Sequence, residues 1–287
     1  MNDVAGITLA QALQQGGVML GGSGSRQDAE MLLCQVMNCS PVSLLTESAQ
    51  ILSAEQYQLY QQLLAARAAG EPVAYLLGRR GFWDMDLTVT RDTLIPRPDT
   101  ELLVTLALAN MPAAAKCADL GTGSGAIALA LARQRPDSFW LASDYSVQAL
   151  KVARNNAATY QLANVQFVCG HWASMIAPHS LDLLVSNPPY IADDDPHLYQ
   201  GDLRFEPRSA LAAGQDGLQD IRQIVGQAPQ VLKDGGWLMI EHGWQQSAAV
   251  QTLFAEAGFI DVSGHQDFGG QDRLVVGQKP ESGKMPA

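Results

Sequence analysis

The sequence predicts an α/β fold, a doubly wound, mostly parallel sheet of seven strands with a small helical domain ahead of it. Three observations predict it. Between about residues 116 and 280, short apolar runs alternate with segments of helical period, the order that builds a parallel sheet covered on both faces. A glycine-rich turn, Asp119-Leu120-Gly121-Thr122-Gly123-Ser124-Gly125, joins the first of those runs to the helix after it. Asn187-Pro188-Pro189-Tyr190 follows the fourth run, at the carboxyl end of a strand, where open α/β sheets place their ligands.

Residues 1–71 read as a helical domain of about four short helices. The first runs from Val4 to Gln15 and is expected to stop at Gly16-Gly17. Ser25-Arg26-Gln27-Asp28 fits a capping box for the second, and Ser53-Ala54-Glu55-Gln56 fits another for the last. Across residues 72–98 the period changes. Val73, Tyr75 and Leu77, then Phe82, Leu87 and Val89, suggest two short strands around Gly78-Arg79-Arg80-Gly81, a hairpin linking the two domains.

Residues 99–280 form the larger domain, opened by a helix from Leu102 to Ala109. Lys116–Leu120, Phe139–Ser143, Val165–Cys169, Leu181–Ser186 and Trp237–Glu241 read as strands. Ala126–Arg133, Val147–Tyr160, Leu218–Leu232 and Gln246–Ala257 read as helices. Phe259–Ser263 and Arg273–Gly277 are too close in sequence for a crossover helix and are expected to pair as a hairpin. Residues 281–287 are expected to be a disordered tail.

Composition narrows the function. The chain has 287 residues, is 47% hydrophobic and carries a net charge of −11. Its 29 acids against 18 bases repel nucleic-acid phosphates, and no basic cluster is longer than Arg79-Arg80. No apolar run reaches the roughly 18 residues of a membrane helix, and Met1-Asn2-Asp3-Val4-Ala5-Gly6 has neither a basic n-region nor an apolar h-region. Cys34, Cys39, Cys117 and Cys169 form no CxxC pair, so reduced cytoplasmic thiols are expected and no metal site.

The tetrapeptide carries the chemistry. Two consecutive prolines stiffen the chain and remove two amide donors. Carbonyl oxygens, one side-chain amide and one aromatic ring remain. This set holds a planar NH2 group: the Asn187 oxygen and the Pro188 carbonyl accept its two hydrogens, and the Tyr190 ring covers its face. The tetrapeptide resembles the signature of methyltransferases that act on an amino group conjugated to a π-system. Such groups are the exocyclic amine of adenine or cytosine and the side-chain amide of glutamine.

The glycine loop taken alone is ambiguous, because Gly121, Gly123 and Ala126 also fit the G-x-G-x-x-A form of a dinucleotide fingerprint. Three features point to S-adenosylmethionine instead. The spacing is G-x-G-x-G behind an acidic residue; Asp144 ends the second strand, where a carboxylate can accept both ribose hydroxyls; and the tetrapeptide ends the fourth. Trp172 reads either as an adenine-stacking ring or as a core-edge tryptophan, and His171 as a solvated loop residue.

Further stretches are more specific. Leu94-Ile95-Pro96-Arg97-Pro98-Asp99-Thr100-Glu101, Phe205-Glu206-Pro207-Arg208, Asp216-Gly217-Leu218 and Glu241-His242-Gly243-Trp244-Gln245-Gln246 accompany the motifs above. Together they resemble the peptide chain release factor glutamine methyltransferases, a family of the class I S-adenosylmethionine-dependent enzymes with a Rossmann-like methyltransferase sheet. The resemblance runs from the helical domain to about Gly277.

It implies S-adenosylmethionine as cofactor, held by Gly121, Thr122, Gly123, Ser124 and Gly125, with Asp144 on the ribose, Trp172 beside the adenine and Asn187 at the reacting end. It implies Asn187, Pro188, Pro189 and Tyr190 as the substrate site, with Asn187, Pro188 and Tyr190 catalytic. It implies N5 methylation of the glutamine in the Gly-Gly-Gln motif of class I release factors. The helical domain is expected either to contact the release factor or to cap the sheet, and the protein is expected to be a monomer that binds neither nucleic acid nor membrane. One departure is His171, where family members often carry Asp. The adenine amine must then meet a neutral ring nitrogen or a backbone group. A DNA adenine-N6 methyltransferase and a non-catalytic binding module stand as alternatives. A dehydrogenase is disfavoured because no hydride-handling constellation accompanies the glycine loop.

Overall fold

The structure is a computed structural model and describes residues 6–281. The start of the expected first helix, and residues 282–287 of the expected tail, lie outside that range. The chain divides into two compact units, Met1–Gly78 and Arg79–Ala287.

The first unit is helical: α1 Leu9–Leu20, α2 Ser25–Met37, α3 Pro41–Thr46, α4 Ala54–Ala68 and α5 Val73–Leu77. Leu9, Ala12, Ala29, Leu32, Leu33, Tyr60 and Leu64 make most of its core. Helix α1 does not stop at Gly16-Gly17 but runs on to Gly21, whose φ of 58° ends it. Close packing explains the glycines, since a Cβ on Gly16 would lie 2.1 Å from the Tyr60 hydroxyl and 3.0 Å from the Ala29 methyl. The capping box expected at Ser25 is absent. Helix α2 starts from Gly24 without a side-chain cap, and Asp28 pairs with Arg67 at 2.8 Å. Ser53 and Gln56 do form their reciprocal box at α4.

The hairpin is displaced from its expected position. Val73–Leu77 is one turn of helix, started at Pro72 and stopped by Gly78 at φ 68°, so the alternation of Val73, Tyr75 and Leu77 was a poor guide in so short a run. The two strands are β1 Arg79–Phe82 and β2 Met85–Thr88, turning at Trp83-Asp84. They belong to the second unit. Phe82, Met85 and Leu87 enter its core, and Asn156 grips the Thr88 backbone through both ends of its amide.

The second unit continues with α6 Glu101–Asn110, β3 Lys116–Leu120, α7 Ala126–Gln134, β4 Phe139–Asp144, α8 Val147–Thr159, β5 Val165–Cys169 and β6 Leu181–Ser186. It ends with α9 Gln219–Val231, β7 Leu232–Glu241, α10 Ser247–Glu256, β8 Ile260–Gln266 and β9 Asp272–Gln278. The seven strands lie in the order β5-β4-β3-β6-β7-β9-β8. The first five run parallel, while β9 is antiparallel to both β7 and β8.

Alternation along each strand divides the core in two. Cys117, Leu183, Val185 and Met239 face α6 and α7. Ala118, Leu184, Leu238 and Ile240 face α9 and α10. Strand β7 begins five residues earlier than the expected Trp237, behind an irregular register at Asp182.

The chain leaves β3 for β4 on one side and returns to β6 on the other, so the topological switch lies between β3 and β6. Leu120 pairs with both Ser143 and Ser186, Asp144 pairs with Cys169, and Ser186 pairs with Ile240. The carboxyl ends are thus flush, and the glycine loop, Asp144, the 170–172 loop, Asn187 and Glu241 all emerge along one edge.

Candidate active site

A cavity of about 320 Å³ opens at this switch point, within the range of small-molecule sites. Gly121, Gly123, Asp144, Trp172, Asn187 and Pro189 line it, as does His171. Six residues singled out from four separate stretches of sequence therefore share one wall.

The glycine loop is held in an unusual backbone. Gly121, Gly123 and Gly125 have φ of 71°, 56° and 88°, a region that side chains with a Cβ rarely enter. A Cβ on Gly121 would press on the Trp172 ring at 3.3 Å, while Gly123 faces open space. Gly125 turns the chain into α7 against Leu129 and Ala153.

Thr122 and Ser124 lie behind the lining. The Thr122 hydroxyl donates to Asp119 at 2.7 Å, and the Ser124 carbonyl accepts from Asn156 at 2.9 Å. Asp119 is 1% exposed. Burial lifts its pKa to about 7, against the pull of the Thr122 hydroxyl and the Ala128 amide. It braces the loop from below.

Asp144 is tied at both oxygens. Oδ2 accepts from the Gly123 amide at 2.9 Å, and Oδ1 from the Ser146 amide at 2.8 Å. Burial raises its pKa, and these amides hold it down. The Tyr145 amide also bonds the carboxylate, which leaves one lone-pair position for a further donor. Trp172 itself has φ 50°, and its Nε1 is buried beside the Asp220 carboxyl without closing a well-formed hydrogen bond. Burial also raises the nearby Asp220, and the Trp172 indole pulls it back down.

The residues present fit S-adenosylmethionine. Gly123 leaves open space beside the loop, a fixed carboxylate stands at the neighbouring strand end, and the Trp172 ring lines the same cavity.

The other end of the cavity is built from distant residues. Asn187 Nδ2 donates to Thr100 Oγ1 at 3.1 Å. Its Oδ1 is the end not spent on that bond. Pro188 is buried, Pro189 faces the cavity, and Tyr190 is half-buried behind them. Burial pushes the Tyr190 hydroxyl well above the usual phenol range, with the Glu241 charge adding to it. The Tyr190 carbonyl accepts from Gln246 Nε2 at 3.0 Å, and Gln246 Oε1 accepts from the Gly243 amide at 2.8 Å. Gly217 closes the same clamp at φ 70°, where a Cβ would lie 2.3 Å from that carbonyl. The Glu206 carboxyl, fully buried, pairs with Arg97 and accepts from the Ile95 amide at 3.0 Å, holding the 95–97 segment in place.

Thr100, Glu206, Gly217, Glu241 and Gln246 received no individual role from the sequence. They sit inside the four stretches that carried the family resemblance, which was the available signal. Their partners in space were not visible there.

Residues 11–78 match the family model of the PrmC N-terminal domain, and residues 98–200 match the methyltransferase small domain. Among solved structures, the hMettl16 catalytic domain superposes with a TM-score of 0.56 at 15% identity, over 78% of this chain and 84% of that one. A methyltransferase from Pyrococcus furiosus superposes with a TM-score of 0.53 at 15% identity, over 77% and 98%. A glycine-cradled pocket at the switch point of this seven-stranded sheet defines the class, a doubly wound α/β methyltransferase.

The sequences carry the assignment further. The release factor glutamine methyltransferase of Xylella fastidiosa (strain Temecula1) is 50% identical over 89% of this chain and 94% of its own. Its namesake in Vibrio cholerae is 46% identical over 95% and 97%, and that of Escherichia coli K12 is 45% identical over 88% and 92%. The chain belongs to the release factor glutamine methyltransferase family.

Proposed function

We propose that this chain transfers the methyl group of S-adenosylmethionine to the side-chain amide nitrogen of the glutamine in the Gly-Gly-Gln motif of class I peptide chain release factors. The observation that carries the reading is the Asn187 amide at the cavity wall, with its NH2 spent on Thr100 and its oxygen left for a ligand.

An amide nitrogen is a poor nucleophile because its lone pair is shared with the carbonyl. Asn187 Oδ1 and the Pro188 carbonyl each accept one N–H of the glutamine, which draws density onto nitrogen and turns its lone pair toward the glycine-loop end. The Tyr190 ring fixes the amide plane. Asp144 would take the ribose hydroxyls of the cofactor and Trp172 would lie beside its adenine. S-adenosylmethionine supplies an electrophilic methyl on its sulfonium. Most of the rate enhancement is then positioning, since both partners are held by a rigid sheet edge. The proton shed by the methylated nitrogen passes to water, so no side chain is needed as base.

The net charge of −11 supports a protein substrate over DNA. Release factor incubated with the chain and S-adenosylmethionine should gain one methyl, mapped by mass spectrometry to the Gly-Gly-Gln glutamine. Methyl on adenine-containing DNA, with the peptide untouched, would move the chain to the nucleic-acid branch.

The helical unit is read as a second contact with the release factor. Val42 and Leu45, one turn apart on α3, are each 66% exposed, an apolar pair available to a protein partner. Replacing both by Lys should raise KM for the whole release factor about three- to tenfold, the effect of losing roughly 1 kcal/mol of contact, and leave KM for a Gly-Gly-Gln peptide unchanged. Equal effects on both substrates would sink this contact.

A further inference from the structure

Glu241 ends β7 one residue beyond the Ser186–Ile240 pair, on the flush edge of the sheet beside the Asn187 loop. It is 1% exposed. The Thr100 hydroxyl and the Asn187 side chain lie beside its carboxyl and favour its ionised form, while Oε2 has no hydrogen-bond partner.

The direction of these bonds matters. A primary amide is nearly symmetric in shape and opposite in chemistry at its two ends, so its neighbours decide which end points where. A carboxylate only accepts. With Thr100 Oγ1 accepting from Asn187, its own proton is free for the carboxylate beside it, and only its lone pairs face Asn187. Both groups behind Asn187 are then acceptors, and the NH2 end is drawn to them, as observed in the 3.1 Å bond to Thr100 Oγ1. A neutral acid at position 241 would reverse the chain. It could donate to Thr100, Thr100 could donate to Asn187 Oδ1, and the NH2 end would turn into the cavity, where it repels the N–H groups of a substrate amide.

We propose that Glu241 is a positioning residue which, through Thr100, fixes the direction of the Asn187 amide so that its oxygen meets the substrate. This rests on the reading of Asn187 as acceptor of the glutamine N–H.

The charged and titratable groups around Glu241 come from several elements: Arg273 on β9, Asp99 beside Thr100, and Tyr190 after β6. Burial lifts the Glu241 pKa to about 7, while Thr100, Arg273 and Asn187 lower it and Asp99 raises it. The ionised form is the competent one, so turnover is present above that pH and is lost as pH falls through it.

Glu241→Gln tests this, assayed with a Gly-Gly-Gln peptide and S-adenosylmethionine. The expected result is a fall in kcat of at least tenfold, affinity for S-adenosylhomocysteine within twofold of wild type, and loss of the acid limb near pH 7 from the kcat/KM profile. Wild-type kcat with the acid limb intact would overturn the proposal. If the variant folds poorly, Thr100 decides: Thr100→Ser, which keeps the hydroxyl, should retain at least tenfold more turnover than Thr100→Val, and equal turnover in the two would overturn it. Asn187→Ala run alongside separates the two readings. An active Asn187→Ala removes the premise and the proposal together. An inactive Asn187→Ala beside a fully active Glu241→Gln removes only the role of Glu241.

Discussion

The two ends of the cavity are built by different means. The glycine-loop end is local. Three positive-φ glycines and Asp119 lie within one loop and the strand before it, and Asp144 reaches the Gly123 amide from the next strand. The Asn187 end is assembled from afar: Thr100, Gly217, Glu241 and Gln246 converge on four consecutive residues. A local device can be varied residue by residue. A convergent one fails when any contributor moves, which suits the end that must position a weak nucleophile.

Four substitutions would break or sharpen this contrast. Asn187→Ala should lower kcat about 100-fold, the scale expected when a near-attack pair loses its alignment, while calorimetry finds S-adenosylhomocysteine binding nearly unchanged. Turnover within a few-fold of wild type would mean that the substrate amide is held elsewhere.

Asp144→Asn should act at the other end only, weakening S-adenosylmethionine binding about tenfold, or roughly 1.4 kcal/mol, with kcat at saturating cofactor close to wild type. Gly217→Ala forces a side chain onto φ 70° and into the Tyr190 carbonyl. A cost of about 2 kcal/mol corresponds to a fall in Tm of roughly 5 °C, and kcat should fall with it. A Tm equal to wild type would show that the clamp is slack.

The smallest effect concerns Asp119. Its folded-state pKa, about 7, lies above the ordinary value of 3.8. The buried neutral acid therefore favours the fold at low pH, and that contribution is lost as pH rises through 7. Asp119→Asn stays neutral, so its Tm relative to wild type should rise by a few degrees between pH 5 and pH 8. A pH-independent difference would mean that Asp119 does not titrate in this range.

The sequence is legible along the same division. Strands β3, β5 and β6 have the bounds the sequence predicts, because each is an apolar run closed by a turn signal. The glycine loop and Asp144 were legible for the same reason. Gly16-Gly17 misled, since a glycine pair reads as a stop until Tyr60 and Ala29 are seen to need the space. The short run at Val73–Leu77 misled because three alternating apolar residues fit one helical turn as well as a strand. Thr100 and Glu241 were unreadable as individuals, because nothing in either residue's neighbourhood announces a partner 87 residues away in the one case and 54 in the other.

Strand β9 is the last strand in chain order but not the last in space, since it lies between β7 and β8. It also carries Arg273, the cation that faces Glu241 and Asp99. During synthesis the sheet therefore waits with β7 as an open border, and the glutamate at its tip has no opposing charge until residues 272–278 arrive. The assembly order of the polypeptide thus leaves this corner of the enzyme without the Arg273 charge until six of the seven sheet strands have been made.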